Sequence, residues 1–163
     1  MRLMLDDLYA MQSELDERIF KQHQITRAET SYKRVLALIV ELGECVNETR
    51  CFKFWSVKGS QPKEVILEEF VDGIHFLLSI GLDLNDQSKH IESKETSDDL
   101  SKAYLEMFRL SSSLSEDYTL TRYYQCFSCY LGIAELLGFS ELDIHSFYMM
   151  KNKENHSRQN NNY

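Results

Sequence analysis

The sequence predicts an all-α fold, a bundle of about six helices. Three observations carry that reading. Apolar residues recur at helical spacing in six separate stretches, no stretch alternates apolar and polar residues over a convincing strand length, and helix-start and helix-stop residues stand between the stretches. Helical stretches with no strands between them pack as a bundle. At 163 residues the chain fits one domain with a sizeable core.

The first helix covers residues 3 to about 22, with Leu5, Leu8, Met11, Leu15 and Ile19 on one stripe and acids opposite. Gln12 and Asp16 flank that stripe at i and i+4. The second runs from near Arg27 through Glu48. Gly43 lies inside it, and a mid-helix glycine costs about 1 kcal/mol relative to alanine, which suggests that a ligand or a second backbone approaches there. Pro62 suits a helix start, so the third helix runs from there to Ile80, with Gly81 as its stop. Residues 83 to 96 are polar and turn-forming. Thr96 to Asp99 reads as a cap for a fourth helix over 98 to 114, a fifth covers 119 to 137 and ends at Gly138, and Ser140 to Asp143 caps a sixth through about Lys153.

Acids outnumber Lys and Arg by 26 to 18, a net charge of −8, which argues against duplex nucleic acid or an anionic membrane as partner. No apolar run approaches the length of a membrane span, and the opening stretch is amphipathic and acid-bearing rather than a signal peptide. Cys45, Cys51, Cys126 and Cys129 sit in apolar, helical context, which suits reduced thiols and a cytoplasmic setting. Cys126 and Cys129 have CxxC spacing, but no second pair or His cluster completes a zinc set, so both read as small buried hydrophobes.

The informative residues are acids inside the two most apolar helices, which are expected to be largely buried. Glu41, Glu44 and Glu48 stand at i, i+3 and i+7 on one face of helix two, and Glu69 and Asp72 repeat the i, i+3 spacing on helix three. A buried carboxylate costs several kcal/mol unless a positive charge pairs with it, and neither helix supplies Lys or Arg among these acids. A divalent ion is the economical partner, and all-oxygen ligands suit Mg²⁺, with Mn²⁺ as substitute. His75, one turn after Asp72, reads locally as a satisfied core histidine more readily than as a ligand.

Between the acidic helices, residues 49 to 61 are rich in aromatic and basic side chains. Trp55, flanked by Lys53 and Lys58, is suited either to stack on a base beside a phosphate-binding lysine or to cover the core. Residues 151 to 163 are strongly polar and read either as a frayed terminus or as a mobile basic segment that closes over phosphates. No P-loop, dinucleotide fingerprint or covalent nucleophile is evident.

Glu41-x-x-Glu44 followed by Glu69-x-x-Asp72 resembles the metal motif of the all-α nucleoside-triphosphate pyrophosphatases. Three further stretches are similar to the dimeric dUTPase branch: residues 48 to 56 (Glu-Thr-Arg-Cys-Phe-Lys-Phe-Trp-Ser), residues 68 to 81 around Asp72-Gly-Ile-His75, and the ending Lys151-x-x-x-Asn155-x-x-Arg158-Gln159-x-x-Asn162-Tyr163. The match extends from helix two to the last residue, in a chain as short as compact bacterial or bacteriophage members.

The resemblance implies hydrolysis of dUTP, and of dUDP, to dUMP. It implies Mg²⁺ held by Glu41, Glu44, Glu69 and Asp72, with Glu41 positioning the attacking water. Gln12, Asp16, Trp55 and His75 would contact the nucleoside, and Lys151, Asn155 and Arg158 the sugar and phosphates, with Lys58 a further phosphate contact by charge and position. It further implies a catalytic domain over 1–150, a closing tail over 151–163 and a homodimer. Some phage members of the branch also bind repressor-type proteins.

Two departures stand out. Asp16 occupies the place where the branch offers Asn, and an ionised carboxylate accepts hydrogen bonds but cannot donate. Asn162 replaces the tail glycine. Two other readings compete: a housecleaning pyrophosphatase for another dNTP, and a non-catalytic helical interaction module whose acids are solvated. A ferritin-like di-iron protein would need two Glu-x-x-His units, and the chain has none.

Overall fold

The computed structural model describes residues 1–160 and carries six α-helices: α1 (Asp6–His23), α2 (Ser31–Thr49), α3 (Lys63–Asp83), α4 (Leu100–Ser113), α5 (Leu120–Leu136) and α6 (Glu141–Asn160). A 3₁₀ turn, Ala28–Thr30, leads into α2. The helix starts follow from local chemistry. Asp99 accepts from the backbone N–H groups of Ser101 and Lys102, Thr119 accepts from that of Arg122, and Ser140 and Asp143 bond each other's backbone N–H reciprocally. Asp6 and Asp7 lie in the first turn of α1 and Lys21 and His23 in its last, complementing the helix dipole.

α3 is the axis of the bundle, packed against α1, α2, α5 and α6. Phe70, Val71, Ile74, Leu77, Leu78 and Ile80 are fully buried along it. Gly81 lies inside α3 and does not stop it, which corrects the expected end at Ile80. A Cβ there would lie 2.3 Å from the Tyr9 hydroxyl and 2.5 Å from that of Tyr123, so the glycine serves close packing rather than a turn.

Three further expectations change. The first helix starts at Asp6, because Arg2–Met4 forms a strand, β1, antiparallel to β2 (His90–Glu92), with Leu3 opposite Ile91. Each strand has three residues, too few for alternation to show in the sequence, yet Leu3 and Ile91 enter the core. α2 is not buried on every side: Tyr32, Leu36 and Val40 are 65%, 61% and 48% exposed. Among the described residues nothing lies within 4 Å of where a Cβ on Gly43 would stand, so no second backbone from them explains it.

α6 continues past Lys153 to Asn160, so residues 151–160 are helical, and Lys151 and Asn152 are buried. The rest of the expected tail, including Asn162, lies outside the described residues. All four cysteines are free, with Cys45, Cys126 and Cys129 buried as expected for small core residues. Among the described residues no helix is long and apolar enough to cross a membrane.

Candidate active site and metal centre

α2 and α3 lie side by side, and their acids meet where they face one another. One oxygen each from Glu41, Glu69 and Asp72 falls within a mutual 4.8 Å, and all three residues are half-buried. Glu44 is exposed and stands outside that set, but its charge is felt by both Glu41 and Glu69. Burial, then the charges of Asp72, Glu44 and Glu69, pushes the Glu41 carboxyl up to about 7. Glu69 is raised by burial and by Asp72 and Glu44, and Asp72 is raised chiefly by burial. Three convergent oxygens that resist ionising together are the donor set a hard divalent cation satisfies, so the residues present fit Mg²⁺ or Mn²⁺.

Part of the positive charge missing from α2 and α3 comes from α6. The Lys151 ammonium, buried, lies 3.0 Å from a carboxylate oxygen of Glu68 and 3.0 Å from one of Asp72. Glu68 was not singled out in the sequence. It sits beside Glu69 and so points to a different side of α3, toward α6.

One turn along α3 from Asp72, His75 lines a cavity of about 310 Å³ bounded by α1, α2, α3 and α6, whose walls also include Gln12, Asp16, Arg34, Asn155 and Arg158. Its polar floor is tightly bonded. The Gln12 side-chain oxygen lies 2.8 Å from His75 Nδ1 and accepts from the Tyr148 hydroxyl at 2.8 Å, and its amide nitrogen donates to Asp16 at 2.8 Å. The other Asp16 oxygen accepts from Ser79 at 2.6 Å and from Arg27 at 3.0 Å. The Tyr148 and His75 rings stack at 4.2 Å. Burial, and then the charge of Lys151, lowers the His75 pKa to about 3, so the ring is neutral.

The predicted residues therefore divide. Glu41, Glu69 and Asp72 converge; Gln12, Asp16, His75, Asn155 and Arg158 share the cavity; Lys151 bonds to the acidic cluster. Trp55 is 66% exposed on the α2–α3 connection beside Phe52 and Phe54, and neither it nor Lys58 lines the cavity. Tyr148, Arg27 and Ser79 were missed. Tyr148 had a signal, since Lys151, Asn155 and Arg158 keep helical spacing and one turn earlier on that stripe stands Tyr148.

A protein-family model described as dUTPase matches residues 4–163. No curated protein matches the chain.

Proposed function

The chain belongs to the all-α dUTPase family and is a dUTP diphosphatase, and from that premise we propose how its residues divide the work. In this reading Glu41, Glu44, Glu69 and Asp72 hold Mg²⁺, or Mn²⁺ in its place. The bound metal would neutralise phosphate charge and polarise the P–O bond that breaks. Glu41 would position the attacking water, its carboxyl lying among the converging acids. Water attack on phosphorus would give dUMP and pyrophosphate from dUTP, and dUMP and orthophosphate from dUDP.

Gln12 and His75 stand in the polar floor of the cavity and receive the base. Asn155 and Arg158 line it from α6, on the same helical stripe as Lys151, and take sugar and phosphates. In this scheme the α6 residues from Lys151 to Arg158 meet the nucleotide carried by the 1–150 domain, and Trp55 and Lys58 approach it from the exposed connection. Tyr32, Leu36 and Val40 form an exposed apolar stripe on α2, and covering it with a second copy gives a homodimer. The protein would act on the cytoplasmic nucleotide pool.

One observation carries the proposal: three carboxylates with oxygens within 4.8 Å of one another, one helical turn along α3 from a cavity of about 310 Å³. The test is product analysis of dUTP, dUDP, dCTP, dTTP and UTP incubated with Mg²⁺ and purified protein. Pyrophosphate from dUTP and orthophosphate from dUDP are expected, with the other nucleotides poor substrates. Equal turnover of several dNTPs would overturn the base assignment, and full turnover in EDTA would overturn the metal assignment.

A further inference from the structure

We propose that Asp16 and Arg27 are positioning residues that fix the hydrogen-bond polarity of the cavity, so that His75 offers a bare Nε2 acceptor to an imide N–H. This rests on the reading that the cavity receives the base. It addresses why a carboxylate can stand at Asp16, where a direct reader of the base would need a donor.

One chain of hydrogen bonds sets this polarity. As the ion-pair partner of Arg27, Asp16 is a carboxylate and only accepts. Its Oδ2 is taken by Arg27 and Ser79, so Oδ1 is left for Gln12, and the Gln12 atom facing it must be the N–H₂ group. The Gln12 carbonyl is thereby turned to Tyr148 and His75. A carbonyl accepts, so the proton of the neutral imidazole sits on Nδ1. Nε2 is left as an acceptor, buried and without a hydrogen-bond partner among the described residues. A buried acceptor of this kind rewards a ligand that brings a donor and penalises one that brings a second lone pair. Uracil presents N3–H; cytosine presents a bare N3. The polarity that separates them is set by Arg27, whose guanidinium also donates to the Ser79 carbonyl and so is fixed at two points.

Asp16→Asn inverts the relay. Arg27 and Ser79 hold the asparagine oxygen, its N–H₂ faces Gln12, the Gln12 carbonyl turns back to meet it, and His75 receives an N–H at Nδ1 and carries its own proton on Nε2. Tyr148→Phe removes a bond from the same network without changing its polarity.

The experiment is ¹⁵N NMR of histidine-labelled protein, with His75 assigned by His75→Gln, together with kcat/KM for dUTP and dCTP. Wild type is expected to show protonated Nδ1 and bare Nε2, with the Nε2 signal moving on addition of dUMP. Asp16→Asn is expected to exchange the two signals and lower the dUTP-to-dCTP ratio at least about tenfold. Tyr148→Phe is expected to keep both. Protonated Nε2 in wild type overturns the proposal whatever the variants do, as does an Asp16→Asn protein with either readout unchanged or a lost ratio in Tyr148→Phe. A correct tautomer whose Nε2 ignores dUMP instead overturns the placement of the base, and with it the specificity role.

Discussion

Lys151 and Asp72 lie with ammonium and carboxylate 3.0 Å apart, so α6 is tied to the acids of α3 by a lysine whose side chain is only 5% exposed. The same ammonium bonds Glu68. Lys151→Met should leave Asp72 beside Glu41 and Glu69 without its hydrogen-bonded cation, with Arg158 as the weaker positive influence that remains, and should cost about 1–3 kcal/mol in metal-free buffer, given that Asp72 keeps some solvent contact. Urea unfolding in EDTA measures this. Mg²⁺ should recover part of the loss, because it supplies charge to the same oxygens.

Removing a charge from the cluster should act in the opposite direction. Glu69→Gln relieves repulsion with Asp72 and Glu44, so the metal-free protein should unfold at a higher urea concentration than wild type. Pyrophosphate release from dUTP should fall by about 100-fold or more in the same variant. A solvated surface acid would show neither effect.

The pH dependence follows from Glu41. An unfolded glutamate titrates near about 4.3, whereas the folded carboxyl is held up to about 7 by burial and by Asp72, Glu44 and Glu69. Between those values the folded state binds more protons than the unfolded, so this group's contribution to stability falls as pH rises. The urea midpoint in EDTA should therefore be higher at about pH 5.5 than at about pH 7.5 in wild type relative to Glu41→Gln. Mg²⁺ binding must displace that proton, so its affinity should weaken as pH falls below about 7.

The helices were legible in the sequence because their caps and periodicity are local. The ends that shifted were set by tertiary contacts: Gly81 reads as a stop until Tyr9 and Tyr123 are seen to press against it, and Leu3 and Ile91 pair across a distance that periodicity cannot span. Glu41, Glu69 and Asp72 were legible because carboxylates are conspicuous in apolar helices. Glu68 and Arg27 were not, because solvated charges and positioning charges look alike until their partners are known.

Gly81→Ala tests the packing claim. The tyrosine hydroxyls it would strike cannot easily swing away: Tyr9 donates to Asp86 at 2.6 Å and bonds Tyr123 at 2.8 Å. Overpacking there should cost about 1–3 kcal/mol, read as a lower thermal midpoint. Gly43→Ala, in open space on α2, should instead gain up to about 1 kcal/mol.

The most direct test of the account is pyrophosphate release from dUTP as Mg²⁺ is titrated into metal-free wild type and Glu69→Gln, side by side. No turnover is expected before metal is added, then a saturable rise in wild type and no comparable rise in the variant. Turnover that ignores Mg²⁺, or a Glu69→Gln protein as active as wild type, would contradict the assignment of the α2–α3 carboxylates as the metal centre.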